Sequence, residues 1–377
     1  MSALQRTDTS LFGRWWWTVD RWTLAAIAIL LACGGVMTLA ASPAVAERID
    51  VGSFHFVKRQ AVFLSLAALT IIGVSLMSPK GIRRLAILTT LGALALMLMT
   101  LVFGAEIKGA SRWLSIGGLS LQPSEFVKPG IAVVAAWLFA RQRMDERFPG
   151  IQMSIAVYLV TVAILLMQPD VGMTIVVSVV WGTQFFVAGL PLVFVALIAL
   201  TFMGAGVGAY FTFDHVQLRV DRFFGPDSEI GYQAARAIEA FQHGGILGRG
   251  PGEGRVKEVL PDAHADFIFA VTGEEFGLLA CLVIVGLFAF VVLRGFARVM
   301  RLDDLFVLLA VAGLLSQFAV QALINMASSV SLIPPKGMTL PFISYGGSST
   351  LALAIGMGMV LALTRERPET GGARYEH

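Results

Sequence analysis

The stretch Val259-Leu-Pro-Asp262-Ala-His264-Ala-Asp266-Phe-Ile-Phe-Ala-Val-Thr-Gly-Glu274-Glu275 sets an Asp and a His where a polar loop becomes an apolar run that continues to Leu293. Ionisable groups at a membrane boundary are costly to desolvate and mark functional sites. If residues 264–293 form one helix, it is about 45 Å long, and only the part from Phe276 is apolar enough to cross hydrocarbon. Asp266 then stands roughly 15 Å outside that start, at head-group depth. A carboxylate there meets the polar end of a lipid whose tails stay in the bilayer. On such a helix Glu275 points almost opposite Asp266 and Glu274 about 80° away, so a two-carboxylate arrangement is not expected.

Further polar groups recur at other apolar boundaries. Lys108-Gly-Ala-Ser-Arg112-Trp113 precedes Gln122-Pro123-Ser124-Glu125-Phe-Val-Lys128. Pro123 suits a first helical turn, Glu125 is favoured there by the helix dipole, and Lys128 shares its face. This is either a capped helix start with a local ion pair or a buried cation awaiting an anionic ligand. In Gln168-Pro-Asp170-Val-Gly172 the aspartate reads as an N-cap. The loop 213–262 carries Gly244-Gly-Ile-Leu-Gly-Arg249-Gly-Pro-Gly-Glu-Gly-Arg255, which is no nucleotide loop because no Gly-Lys-Ser/Thr follows. Arg249, Arg255 and Lys257 are either phosphate contacts or a solvated basic face. Pro334-Pro-Lys336-Gly-Met-Thr-Leu-Pro-Phe-Ile-Ser344-Tyr-Gly-Gly-Ser-Ser predicts a re-entrant, non-helical entry, tolerated only where it lines a cavity. Ser344 is no hydrolase nucleophile, since Phe342 stands where the elbow needs glycine.

The elements that position these groups follow from composition. The 377-residue chain is 56% hydrophobic and 14% charged, against about 25% charged for soluble domains, which makes it an integral membrane protein. Apolar runs of about 20 residues are helical spans rather than barrel strands. The expected fold is all-α, a single polytopic membrane domain over 1–377 with about ten transmembrane helices. The segments are 22–46, 57–78, 82–103, 123–140, 152–168, 171–189, 190–212, 264–293, 304–331 and 344–364. Lys and Arg concentrate in alternate short loops, which places both termini (1–21 and 365–377) in the cytoplasm. The loops 104–122, 213–262 and 332–343 then share the outer face, the large extracytoplasmic loop lying between spans seven and eight. The Trp15-Trp-Trp17 cluster reads as an interfacial anchor. A net charge of +3 gives no argument for nucleic acid. Cys33 and Cys281 fall in apolar spans and read as small hydrophobes.

Together Lys108-Gly-Ala-Ser-Arg-Trp-Leu, Gln-Pro-Ser-Glu125-Phe-Val-Lys128, Gln168-Pro-Asp, Leu260-Pro-Asp-Ala-His-Ala-Asp266-Phe-Ile-Phe-Ala and Pro-Phe-Ile-Ser344-Tyr-Gly-Gly-Ser-Ser resemble the SEDS (shape, elongation, division and sporulation) family, over nearly the whole chain and in order. Ala41-Ser-Pro-Ala-Val-Ala-Glu-Arg48 and Phe56-Val-Lys-Arg-Gln60 look like its cell-division branch. The chain departs from many members at Ala265, where Thr is common, and at Asp262, where Glu is common.

The resemblance implies an inverting peptidoglycan glycosyltransferase of the cytoplasmic (inner) membrane, polymerising lipid II into β-1,4 strands on the periplasmic side during septal wall synthesis. It implies Asp266 as the catalytic residue, suited to act as general base, with Glu125 and Lys128 in the central cavity; the outer-face placing of Arg112, Lys108, Arg249, Lys336 and Ser344 sets them around the same substrate. It further implies a divalent cation (Mg2+ or Mn2+) with ligands unassigned, and no nucleotide. The implied partners are lipid II, undecaprenyl-pyrophosphate-linked glycan, a class B penicillin-binding protein with other divisome proteins, and membrane lipids. Rival readings are a lipid II flippase, in which Lys128 matters more than Asp266, and a divisome scaffold that activates a transpeptidase.

Overall fold

The computed structural model describes residues 10–107, 110–116, 119–189, 192–212, 217, 221 and 229–366. The helices are α1 (Leu11–Thr18), α2 (Arg21–Arg48), α3 (His55–Ser75), α4 (Pro79–Phe103), α5 (Pro123–Met144), α6 (Gly150–Met167), α7 (Val171–Val187), α8 (Leu192–Thr212), α9 (Glu229–Gly244), α10 (Val256–Val259), α11 (Ile268–Val299), α12 (Leu305–Ser329) and α13 (Gly347–Leu363). The expected segments each overlap a helix of this set. Among the described residues α2, α3, α4, α6, α11 and α12 are long and apolar enough to cross a membrane, and α7 and α13 are shorter apolar helices.

The starts obey capping chemistry. Ser78 accepts from Gly81 N ahead of Pro79, Asp170 from Met173 N, and Asp304 from Val307 N. Asp20 caps α2 and also takes a two-pronged contact from Arg294 of α11, at 2.8–3.1 Å. Burial pushes the Asp20 carboxyl up, yet the Arg294 and Thr23 hydrogen bonds hold it below its usual range. Beside it Arg21 stacks over Trp16 and Trp17.

The core centres on α5, buried along nearly all of Pro123–Ala140. Small residues permit this: a Cβ on Gly130 would stand 2.4 Å from Thr90 Oγ1 of α4. The all-α expectation needs one correction. The 104–122 connection folds into an antiparallel sheet, β1 (Ala105–Ile107), β2 (Ala110–Ile116) and β3 (Leu119–Leu121), with Leu114 opposite Leu121. A polar boundary segment satisfies its backbone by pairing with itself. Cys33 and Cys281 are unbridged.

The segment between α12 and α13 is non-helical and deeply inserted, with Met338, Leu340, Phe342, Ile343 and Ser344 all buried. Phe342 adopts φ 63°, and a Cβ on Gly34 of α2 would lie 2.0 Å from the Phe342 carbonyl oxygen. Only glycine at position 34 lets α2 approach that backbone.

A second irregularity corrects the single helix anticipated over 264–293. α11 begins at Ile268 and breaks at Gly277 (φ 76°, ψ −177°). The Gly-rich loop enters the break. Leu278 N and Leu279 N donate to Gly245 O and Ile246 O, while Glu274 O and Glu275 O accept from Arg249 N and Gly250 N. The loop thus replaces the hydrogen bonds the helix loses. The close approach dictates the glycines: a Cβ on Gly244 would be 1.9 Å from Gly273 O, and one on Gly248 (φ +82°) 2.3 Å from Glu275 O.

Gly248→Ala is therefore expected to cost at least about 2 kcal/mol. Gly245→Ala, with positive φ but nothing within 4 Å of the added carbon, should cost only about 1 kcal/mol. Melting temperatures of the two variants in detergent check the difference.

Candidate functional site

Asp266 lies two residues before α11, not on it. Leu260–Phe267 is a run of turns, with Asp262 in the left-handed region (φ 51°) and its carbonyl accepting from both Ala265 N and Asp266 N at 2.9 Å. Three successive residues of this turn are anchored through their backbone carbonyls. His264 O accepts from Tyr345 N at 2.9 Å, Ala265 O from Ser344 Oγ at 2.6 Å, and Asp266 O from Asn325 Nδ2 at 3.0 Å. These contacts fix the place of the Asp266 main chain, and its side chain is half-buried.

The anchors connect to the buried charged pair. Asn325 Nδ2 also donates to Met338 O at 2.7 Å, and Gln321, one turn earlier on α12, donates to Thr339 O, Thr339 Oγ1 and Ser349 Oγ at 3.1–3.3 Å. Gln321 Oε1 in turn accepts from Lys128 Nζ at 2.8 Å, and Lys128 Nζ sits 2.8 Å from Glu125 Oε2. The Lys128 side chain is 1% exposed. The Glu125 contact is ionic rather than an aligned hydrogen bond.

The remaining expected residues divide. Ser344 is spent, because its hydroxyl also accepts from Leu340 N at 2.8 Å. Arg112 donates to the Gln168 and Pro169 carbonyls and lies 3.6 Å from Asp170. Burial pushes the Asp170 carboxyl up against the pull of Arg112. Lys336 lies beside the Gln168–Gly172 group, its Cβ 3.8 Å from where a Cβ on Gly172 would stand, and the next residue, Gly337, approaches the site, a Cβ there standing 3.9 Å from Asp266 Oδ2. Arg249 goes elsewhere, 3.6 Å from Glu274 at the α11 break. Lys108 lies outside the described residues.

Glu274 and Glu275 are buried, Glu274 accepting from Arg255 N and Val256 N, and Glu275 from Gly252 N and Lys257 Nζ. They hold the loop; neither is available as a second acid.

Sequence reasoning missed Gln60, Gln321, Asn325, Thr339, Arg59 and Tyr345. Gln317, Gln321 and Asn325 recur at four-residue spacing on a buried apolar helix, the signal that would have found two of them. Arg59 hydrogen-bonds the Tyr345 phenol. Beside it a cavity of about 410 Å³ is lined by His55, Lys58 and Arg59. His264 is buried between Phe56 and Tyr345, ring centroids 4.6 and 5.1 Å away, and its Nδ1 has no protein partner among the described residues. Among those residues no cluster of three or more His, Cys, Asp or Glu forms a metal cage.

Apolar helices around a buried ion pair, with an anchored ionisable turn at one end, define a polytopic membrane protein with its polar site at that end. The chain belongs to the FtsW/RodA/SpoVE family of cell cycle proteins, which it matches over residues 21–369. It is 46% identical to the probable peptidoglycan glycosyltransferase FtsW of Caulobacter vibrioides, covering 99% of this chain and 96% of that one. To its counterpart in Escherichia coli O157:H7 it is 33% identical, with 89% and 84% covered. It resembles a chain from a peptidoglycan synthase complex that coordinates polymerization and crosslinking (TM-score 0.76, 27% identity, 92% and 97% covered). It also resembles the rod shape determining protein RodA of Thermus thermophilus (TM-score 0.66, 26% identity, 93% and 97% covered).

Burial lowers the pKa of His264 to about 4, so the folded chain keeps it neutral. As pH falls below about 6.5 the unfolded chain gains a proton that the folded one refuses, and stability falls until about pH 4, by about 3 kcal/mol in all. His264→Phe keeps the stacking and the backbone anchor but cannot titrate. The drop in melting temperature between pH 7 and pH 5 should be smaller in that variant than in the wild type.

Proposed function

We propose that this chain is a peptidoglycan glycosyltransferase that polymerises lipid II at the outer face of the cytoplasmic membrane during septal synthesis, with Asp266 as general base. The observation that carries the reading is the Asp266 turn, a carboxylate at a membrane boundary whose neighbouring carbonyls are locked by Asn325, Ser344 and Tyr345. Ten spans with both termini in the cytoplasm agree with the helix order and with the basic residues of alternate short loops.

In the reaction the 4-hydroxyl of the acceptor GlcNAc gives its proton to the Asp266 carboxylate. The oxygen bonds to C1 of the donor MurNAc, and the C1–O bond to undecaprenyl pyrophosphate breaks with its electron pair leaving on that group. One base and one displacement invert the α-linked donor to a β-1,4 product. The leaving pyrophosphate needs cations. Lys128 and Arg112 are committed to protein partners, whereas Lys336 beside Gly337, and Lys58 and Arg59 lining their cavity, stand nearer the surface. A hard divalent cation such as Mg2+ or Mn2+ fits in the mode where substrate phosphates and water supply most ligands. Asp262, exposed on the same turn, would hold it, and the ion would neutralise charge developing on the pyrophosphate. The likeness to a chain of a synthase complex supports a class B penicillin-binding protein as partner.

The test gives purified protein fluorescent lipid II and a divalent cation, with a candidate transpeptidase partner inactivated at its own active site. Wild type should build glycan ladders and a folded Asp266→Asn variant none, a loss of at least about 10²-fold, as expected for a positioned base. Equal ladders from both would remove Asp266 from the mechanism. None from either would favour flipping or scaffolding.

A further inference from the structure

A cleft of about 650 Å³ opens between the outer half of α2 and the loop that clasps α11, within the range of small-molecule sites. Its two sides differ in chemistry. One wall is apolar, formed by Leu39, Pro43 and Ala44 of the span α2, with Leu39 half exposed on the helix exterior. The rim is charged, formed by Glu47, Arg48 and Glu258. All three are exposed and form no ion pair with one another.

The floor is built and satisfied. Lys257 Nζ donates to Ala40 O, near the Pro43 interruption of α2, and to Gly252 O and Glu275. Arg48 uses one guanidinium nitrogen on Lys257 O and Leu260 O. Its other N–H groups have no protein partner among the described residues. Two carboxylates and one cation, unpaired at the edge of an apolar wall on a membrane-crossing helix, complement a ligand with a tail, a phosphate and a protonated amine.

We propose that this cleft binds one aminophospholipid of the surrounding bilayer. Arg48 takes the phosphate, Glu47 and Glu258 take the ammonium, and an acyl chain runs along Leu39 and Pro43. A primary ammonium donates charge-assisted hydrogen bonds to carboxylates, which a quaternary choline cannot do. The site therefore selects phosphatidylethanolamine over phosphatidylcholine, and over the anionic phosphatidylglycerol, which has no cation for the two glutamates. Because Arg48 also braces Leu260, at the start of the Asp266 turn, an occupied cleft stiffens the approach to that turn.

The test incorporates the full chain into nanodiscs holding equal amounts of the three phospholipids with matched acyl chains, then counts retained lipid by native mass spectrometry. Phosphatidylethanolamine should be retained preferentially. A Glu47→Gln/Glu258→Gln variant should lose it by about fivefold to tenfold, as two exposed ion pairs imply. Glu253→Gln, exposed on the same loop but outside the cleft, should retain it. Melting temperatures establish that each variant is folded. Equal retention of the three lipids, or full retention by the double variant, would overturn the proposal. The readout does not depend on polymerase activity, so its failure would leave the glycosyltransferase reading standing.

Discussion

The rest of the structure depends on a lysine ammonium held out of water. Lys128 sits one turn and a half into a helix packed on several sides by others, and its charge is tolerable only while Glu125 and Gln321 stay within 2.8 Å. Removing one partner of such a pair costs about 3–5 kcal/mol, because the other charge remains buried. The position of α12 relative to α5 is thereby fixed through Gln321. The same glutamine grips Thr339 and Ser349, so the constraint passes to the non-helical segment. From there it reaches the turn that carries Asp266.

Backbone accounting supplies the second half of the explanation. Within a bilayer every main-chain polar group must find a protein partner, so departures from helix survive only where something else completes them. Two occur on either side of Asp266. The 332–346 segment is completed by Ser344, Asn325 and the turn itself, and Gly34 yields the space its backbone needs. The break at Gly277 is completed by residues 245–250, with the Glu274 and Glu275 side chains fastening the next stretch of loop. The carboxylate that proposed catalysis requires is therefore presented by irregular backbone made rigid at both ends.

Much of this could be read in the chain. Runs of apolar residues located the long apolar helices but not α9, which lies within the segment read as the 213–262 loop, and Asp170, Pro123 and the Glu125–Lys128 spacing announced their caps and ion pair. The prolines between 334 and 341 announced a re-entrant segment. What could not be read is instructive. The Gly244–Arg255 run looks like a flexible or phosphate-contacting loop, because nothing local shows that its carbonyls and amides will enter the helix break at Gly277, far along the chain. Arg249 reads equally as a phosphate contact or part of a solvated basic face for the same reason, and it lies 3.6 Å from Glu274. Helical periodicity set Glu275 opposite Asp266, but the turn at 260–267 makes that geometry irrelevant. The strands of 105–121 escaped notice because they are short and pair only with each other.

The proposed role of Asp266 depends on the anchoring of its turn, and Asn325 is the anchor that reaches that turn from a membrane helix. The most direct measurement is the glycan polymerisation rate of Asn325→Ala beside its melting temperature, with Asp266 intact. A folded protein whose rate falls by about 10²-fold is expected, the cost of misplacing a catalytic group by an ångström. A folded variant that polymerises at the wild-type rate would show that the anchor is dispensable.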